Sequence, residues 1–169
     1  MPLSFDDLCT KLDAVTSPHA RHAACPKNGI TTPVENGVKY HFCSNTCQRV
    51  HVYNVDNGLL KNRASRRDAC DWLLLVEKAG TGSPHGCFVE LKKGDAEKAV
   101  SQLQDTLKQF QEKGWLQKLT EKHYARIVAN SMPANSGNSL IEKAKQVFRK
   151  HYHCELQHVR PGQKDMINL

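Results

Sequence analysis

Apolar and polar positions change period several times along the chain. Phe5, Leu8, Cys9, Leu12 and Val15 recur at helical spacing, and Ser4 with Asp7 has the form of a capping box. A short helix is expected over 4–15. Residues 16–40 carry Pro18, Pro26, Gly29, Pro33 and Gly37 and read as loops. Residues 50–55 alternate as a strand. Asp56-Asn57-Gly58 is a turn signal, after which Leu59 and Leu60 are expected to begin a hairpin partner. Two short apolar runs follow, 71–76 and 87–92, with a glycine-rich loop over 80–86 between them. The clearest element comes next. Asp95 caps a helix whose Ala96, Ala99, Val100, Leu103, Leu107 and Phe110 form one stripe, and Gly114 ends it. Residues 125–129 predict a strand. Ser139 and Glu142 cap a further helix with Leu140, Ile141, Ala144, Val147 and Phe148 inward, 154–159 predict a last strand, and the tail from Pro161 is polar.

The order is therefore helix, about three strands, helix, strand, helix, strand. That is an α/β pattern, and its strand–helix–strand passage predicts a parallel pair with a right-handed crossover. At 169 residues the chain suits one domain with a real core, its core over about 45–160 and 16–45 a loop-rich insertion or N-terminal extension. No apolar run approaches a membrane span, and the first residues lack the basic and apolar stretches of a signal peptide, so a cytoplasmic protein without a membrane partner is expected.

Charge alters this picture first. Lysine and arginine outnumber aspartate and glutamate by 24 to 17, and the net +7 suits a polyanionic partner as well as a merely basic surface. The seven cysteines are odd in number and scattered, which favours reduced, partly buried thiols over a disulfide framework.

The two apolar runs then raise a chemical question. Asp71 stands at the start of one, and Glu90 and Lys92 stand near the end of the other. Alternation puts Glu90 and Lys92 on one face and Val89 and Leu91 on the other. Buried strands have no structural need for such charges, which cost free energy unless they pair or hold a metal. Two carboxylates and an ammonium converging on one spot are what metal-assisted phosphodiester cleavage requires.

The stretches Arg66-Arg67-Asp68-Ala69-Cys70-Asp71 with its Trp-Leu-Leu-Leu run, Phe88-Val89-Glu90-Leu91-Lys92-Lys93-Gly94-Asp95, and Ala99-Val100-Ser101-Gln102-Leu103 resemble the PD-(D/E)XK nuclease superfamily, in particular its small stand-alone bacterial members. The likeness covers roughly 50–130. It implies a restriction-endonuclease-like mixed β-sheet flanked by helices. It implies that Asp71 and Glu90, with the Leu91 carbonyl, bind Mg²⁺ or Mn²⁺, that Lys92 lies beside the water and phosphate, and that Gln102 supports the site. Many members add a glutamate from the first helix. Here that helix offers only Asp6, Asp7 and Asp13, and the nearest glutamate is Glu35, in a loop.

Lys61, Arg63, Arg66, Arg67 and Lys93 flank these residues and would hold a nucleic-acid backbone, DNA more than RNA. A homodimer or a larger protein complex is compatible with the reading. Restriction, phage defence, mobile-element processing and repair are all open as settings. Each residue also has a bland reading. Asp71 would cap a strand or pair with Arg66 or Arg67, Glu90 and Lys92 would line a solvated edge, Gln102 would be a helix-surface residue, and the basic cluster a solvated loop. His22, Cys25, Cys43 and Cys47 have the ligand types for structural zinc, but with imperfect spacing and no Cys-x-x-Cys pair, so free thiols are expected instead. No histidine is expected to form a nucleophile–base pair with a cysteine. The rival function is a nuclease-fold module that binds or assembles without cutting.

Overall fold

The computed structural model describes residues 3–62, 67–120, 122–131 and 136–169. Helix α1 runs Phe5–Asp13, and the Ser4 hydroxyl caps it by accepting from the Asp7 N–H, as the sequence predicts. Strands β1 (Ala20–His22) and β2 (Ile30–Thr31) lie where loops are expected, and β3 spans His41–Cys43. Strand β4 (Cys47–Asn54) begins earlier than its alternating segment. It ends in a π-helical turn, Val55–Leu59, rather than a hairpin, because Leu59 and Leu60 turn inward to join the core.

Strands β5 (Trp72–Lys78) and β6 (Pro84–Lys92) match the two apolar runs. Helix α2 spans Ala96–Glu112, capped by Asp95, whose carboxylate accepts from the Lys98 N–H at 2.9 Å. Then come β7 (His123–Ala129), α3 (Ser136–Tyr152), β8 (Cys154–Val159) and a short β9 (Lys164–Met166) inside the polar tail.

The strands make two sheets. The larger is mixed, in the order β1-β4-β5-β6-β7-β8. Strands β4, β5 and β6 form an antiparallel meander, after which β6, β7 and β8 run parallel. The smaller sheet is β2-β3-β9, with β9 parallel to β3. Each face of the large sheet has its own core. Leu73, Leu75, Phe88, Ala125 and Ile127 meet α1, α2 and α3 on one side. Trp72, Leu74, Val89, Leu91 and Val128 meet Ile30, Val38, Tyr40, Phe42 and Ile167 on the other. The helices thus flank one face only. Two crossovers of the same hand moving the same way across a sheet leave their helices on one side, and the segment expected as loops supplies most of the cover for the other.

That cover is fastened in three ways. Glu35 and Val38 exchange both backbone hydrogen bonds at 2.8 Å around Asn36 and Gly37, whose φ values are 53° and 74°. This is a primed hairpin turn, which Asn-Gly favours because both positions need positive φ. Cys25 and Cys47 are joined by a disulfide, with Cα atoms 5.8 Å apart, so these two are not the free thiols expected. The Cys25 N–H donates to the Gln48 carbonyl at 2.9 Å, and this docks the loop on β4. The other five cysteines are free and buried. Lastly, Arg126 of β7 is 1% exposed and meets Asp165 of β9 at 2.5 Å, while the Tyr40 hydroxyl donates to the same carboxylate at 2.6 Å. Among the described residues no helix is long and apolar enough to cross a membrane.

Candidate functional site

Asp71 lies one residue before β5. Its N–H donates to the Val89 carbonyl at 3.1 Å, continuing the β5–β6 ladder in which Trp72 faces Val89. The same register sets Asp71 directly opposite Glu90, so the two side chains leave the sheet together, on the helix-bearing face that Leu73 and Phe88 share. Asp71 Oδ2 accepts the Leu91 N–H at 2.7 Å, which fixes the carboxylate against β6. Lys92, two residues beyond Glu90, reaches back so that its Nζ lies 2.8 Å from Glu90 Oε1. The three residues singled out from sequence are therefore brought together.

Glu90 is fully buried, and neither of its oxygens has a hydrogen-bond partner among the described residues. The approach of Lys92 is an ion pair without hydrogen-bond angles. Burial, with the Asp71 charge opposite, pushes the Glu90 carboxyl up to about 8. Burial also raises Asp71, to about 6, against the pull of its bond from Leu91. Two buried carboxylates with unspent acceptor capacity are a hard-oxygen donor set, and they fit a small divalent cation that keeps several waters. They are not a closed cage: among the described residues no three His, Cys, Asp or Glu side chains are grouped to hold a metal.

The three acids that α1 offers are engaged elsewhere. Asp6 pairs with Arg49 at 2.9 Å, Asp7 belongs to the cap, and Asp13 accepts from the Tyr53 hydroxyl at 2.7 Å. The further negative charges that raise Asp71 are those of Glu35 and Asp56, and Glu35 also raises Glu90. Asp56 follows Val55, whose N–H donates to the Asp71 carbonyl at 2.9 Å. Sequence reading passed over Asp56 as a turn residue. It passed over the hairpin carrying Glu35, although Asn36-Gly37 is a readable signal.

Gln102 does not touch the carboxylates. Its Nε2 donates to the Ala69 carbonyl at 3.1 Å, and its Oε1 is buried without a partner among the described residues. It is the first rung of a clamp. Thr106 Oγ1 accepts the Cys70 N–H at 2.8 Å, and Gln109 Nε2 donates to the Asp68 carbonyl at 3.2 Å. Residues 102, 106 and 109 share one face of α2 and hold the chain leading into Asp71. Gln102 is thus a positioning residue, and Thr106 and Gln109 are its unforeseen partners.

Of the basic cluster, Lys61, Arg67 and Lys93 are described. Arg67 pairs with Glu112 at 2.5 Å, at the C-terminal end of α2, because the clamped segment runs antiparallel to that helix and carries Arg67 away from the carboxylates. Lys61 and Lys93 are exposed, and Arg63 and Arg66 lie outside the described residues. Lys93 adjoins the inserted hairpin: a methyl group on Gly37 would meet its Cε at 3.8 Å.

Compared with protein-family models, curated proteins and solved structures, the chain matches none.

Function is therefore read from local chemistry, and other constellations bear comparison. The zinc set does not assemble, since Cys25 and Cys47 are bonded to each other and Cys43 Sγ contacts the Asn28 carbonyl. One cysteine and one histidine do meet, with Cys9 Sγ 3.2 Å from His51 Nδ1. Burial raises that thiol to about 11 and lowers His51, so the pair stays neutral and lacks the thiolate a nucleophile needs. At the opposite end of the sheet His123, His151, Tyr152 and His153 line a cavity of about 410 Å³. There burial, with His153 and His85 nearby, holds His123 neutral, at about 4.

Proposed function

We propose that the chain is a metal-dependent nuclease that hydrolyses phosphodiester bonds, in DNA more than RNA, on a restriction-endonuclease-like fold. The single observation that carries this reading is Glu90: a fully buried carboxylate without hydrogen bonds, set opposite Asp71 and beside Lys92. Burial favours the protonated or Lys92-paired form of that carboxyl, and a bound cation would be an alternative partner for its charged form. The order of elements supports the reading too, since the acid pair sits on two adjacent apolar strands and an amphipathic helix follows at once.

In this reading Asp71 and Glu90 hold Mg²⁺ or Mn²⁺, with the Leu91 carbonyl as a further oxygen donor. When bound, such an ion supplies a Lewis acid for the phosphodiester and eases deprotonation of water. The chain does the rest. The Leu91 N–H and the α2 clamp keep Asp71 aimed. Lys92, beside Glu90, would present its ammonium to the phosphate. Exposed Lys61 and Lys93 meet the backbone on either side. A cytoplasmic setting belongs to the same proposal; the five free cysteines favour it and the Cys25–Cys47 disulfide weighs against it.

The test is incubation of the chain with plasmid, linear and single-stranded DNA and with RNA, under Mg²⁺ or Mn²⁺. Asp71→Asn and Lys92→Ala are expected to abolish cleavage while DNA binding at fixed salt persists. Full cleavage by Asp71→Asn would mean that the site is elsewhere. A second reading is favoured by the Lys92–Glu90 ion pair, which neutralises the buried acid internally: a nucleic-acid-binding or assembly module that does not cut. Salt-dependent DNA binding by a wild-type chain that cleaves no nucleic acid would select it.

A further inference from the structure

The last turn of α3 meets the start of β7 at the far end of the large sheet from Asp71 and Glu90. Strand β8 starts with Cys154 opposite His123, and the His123 N–H donates to the His153 carbonyl at 3.1 Å. His153 stands between α3 and β8 with a φ of 49°, the left-handed conformation that ends a helix abruptly. A cavity of about 410 Å³ lies beside this junction. Buried Leu116, Leu119 and Tyr152 are its apolar lining, and exposed Gln111 and Gln117 add two amides. His123 also lines it, is 4% exposed, and has no hydrogen-bond partner for its Nδ1 among the described residues. An orphaned polar atom in a buried place costs free energy that a ligand's polar group can offset.

Two further cavities continue the first. One of about 440 Å³ shares His153 with it and is lined also by Lys122, Arg149, Cys154 and Glu155. The other, of about 450 Å³, shares Arg149 and adds Lys145 and Lys150. The acids along this groove are already held. Glu155 meets Lys122 at 3.1 Å and Arg126 at 3.2 Å, and Glu142 meets Lys145 at 2.7 Å. Arg149 and Lys150 are exposed and have no ion pair among the described residues. The groove is therefore apolar and hydrogen-bonding at one end and cationic at the other.

We propose that this groove binds a nucleotide, with the base in the His123 cavity and the phosphate at Arg149 and Lys150. A base is flat, apolar on its faces and polar around its edge. Tyr152 and the two leucines suit the faces, and His123 with the two glutamines suits the edge. Burial, with His153 and His85 nearby, keeps His123 neutral, so its ring carries one donor and one acceptor and adds no charge at the base end. A guanidinium without a carboxylate partner suits a phosphate. Cavities of this volume are typical of small-molecule sites. The nucleotide is either free or the terminal unit of a strand, since both present the same base and phosphate. The assignment does not depend on a metal at Asp71 and Glu90.

The test is calorimetric titration of the full chain, in chelator, with the four ribonucleoside 5′-monophosphates, the matching nucleosides and ribose 5-phosphate. Short oligothymidylates with and without a 5′-phosphate form a further arm. At least one monophosphate or the phosphorylated strand is expected to bind about tenfold or more tightly than its nucleoside, its unphosphorylated strand or ribose 5-phosphate. Tighter binding of the phosphorylated strand assigns a strand end, and tighter binding of a monophosphate assigns a free nucleotide. Arg149→Gln should remove the phosphate's advantage and leave nucleoside binding unchanged, whereas Lys143→Gln, also on α3 but outside these cavities, should match wild type. His123→Phe keeps a ring of similar size without its nitrogens and should weaken nucleoside and nucleotide alike, with thermal unfolding followed to verify the fold. His153→Asn, at an exposed position where asparagine tolerates the left-handed backbone, should weaken nucleotide binding and serves if His123→Phe does not fold. Monophosphates that bind no better than ribose 5-phosphate would overturn the base site. Equal losses in Arg149→Gln and Lys143→Gln would reduce the effect to surface charge and overturn the phosphate site. No binding of any monophosphate or phosphorylated strand at millimolar concentration would overturn the proposal while leaving the metal-centre reading untouched.

Discussion

At the scale of single residues, Glu90 couples stability to pH. Its carboxyl stands at about 8 in the folded chain against an ordinary 4.5. Below about 4.5 the folded and unfolded chains both carry the proton, and Glu90 contributes no difference. As pH rises from there towards 8 the unfolded chain releases the proton and the folded one keeps it, so stability falls across that window. Asp71, raised from 3.8 to about 6, acts with the same sign at lower pH. In chelator the Glu90→Gln chain is therefore expected to lose less stability than wild type as pH rises from about 4.5 to 8, while buried neutral His123 acts with the opposite sign up to about 6.5 in both chains. Added Mn²⁺ should restore stability at the alkaline end, where the ion meets a deprotonated carboxylate. A Glu90→Gln chain with the same pH dependence as wild type in chelator would contradict the burial account.

At the scale of elements, α2 has two duties on two faces. Its stripe of Val100, Leu103, Leu107 and Phe110 is buried against the sheet, and Leu103 is fully covered. Leu103→Ala should cost about 2–5 kcal/mol in denaturant unfolding. Its flank carries Gln102, Thr106 and Gln109. Thr106→Val removes the acceptor for the buried Cys70 N–H and should cost about 1–3 kcal/mol, with Mn²⁺ affinity falling because Asp71 is no longer held. The stripe was legible in the sequence because strong periodicity and the Asp95 cap agree. The pairing of Asp71 with Glu90 was legible because two short apolar runs admit few registers. The clamp was not, since a threonine and two glutamines on a helix flank read as solvated surface until their partners are known. Strands β1, β2 and β9 were not legible either: two or three residues are too short to show a period, and each is defined by a partner distant in sequence.

At the scale of the whole molecule, the two covers of the large sheet are held differently. The helices rely on apolar contact, whereas the small sheet adds a buried polar knot of Tyr40, Asp165, Arg126 and Glu155. The Arg126 guanidinium is the largest fully buried side chain in it, and Asp165 is its closest anion. Asp165→Ala should destabilise the chain by about 3–5 kcal/mol, because it strands a buried charge. Asp165→Asn should cost less, since its amide oxygen still accepts from Arg126 and Tyr40. Equal losses for the two would show that packing, not charge, dominates there.

The parallel contact of β3 with β9 also sets a timetable. His41–Cys43 is made well before its partner, Lys164–Met166. Pairings so far apart along a chain form late, after more local contacts have reduced the loop to be closed. Helix α2, the meander and the crossovers to β7 and β8 can assemble from neighbouring segments. Through that interval Tyr40, Phe42 and the sheet face beneath them await β9 and Ile167, so the nascent chain exposes an apolar surface until that distant segment docks.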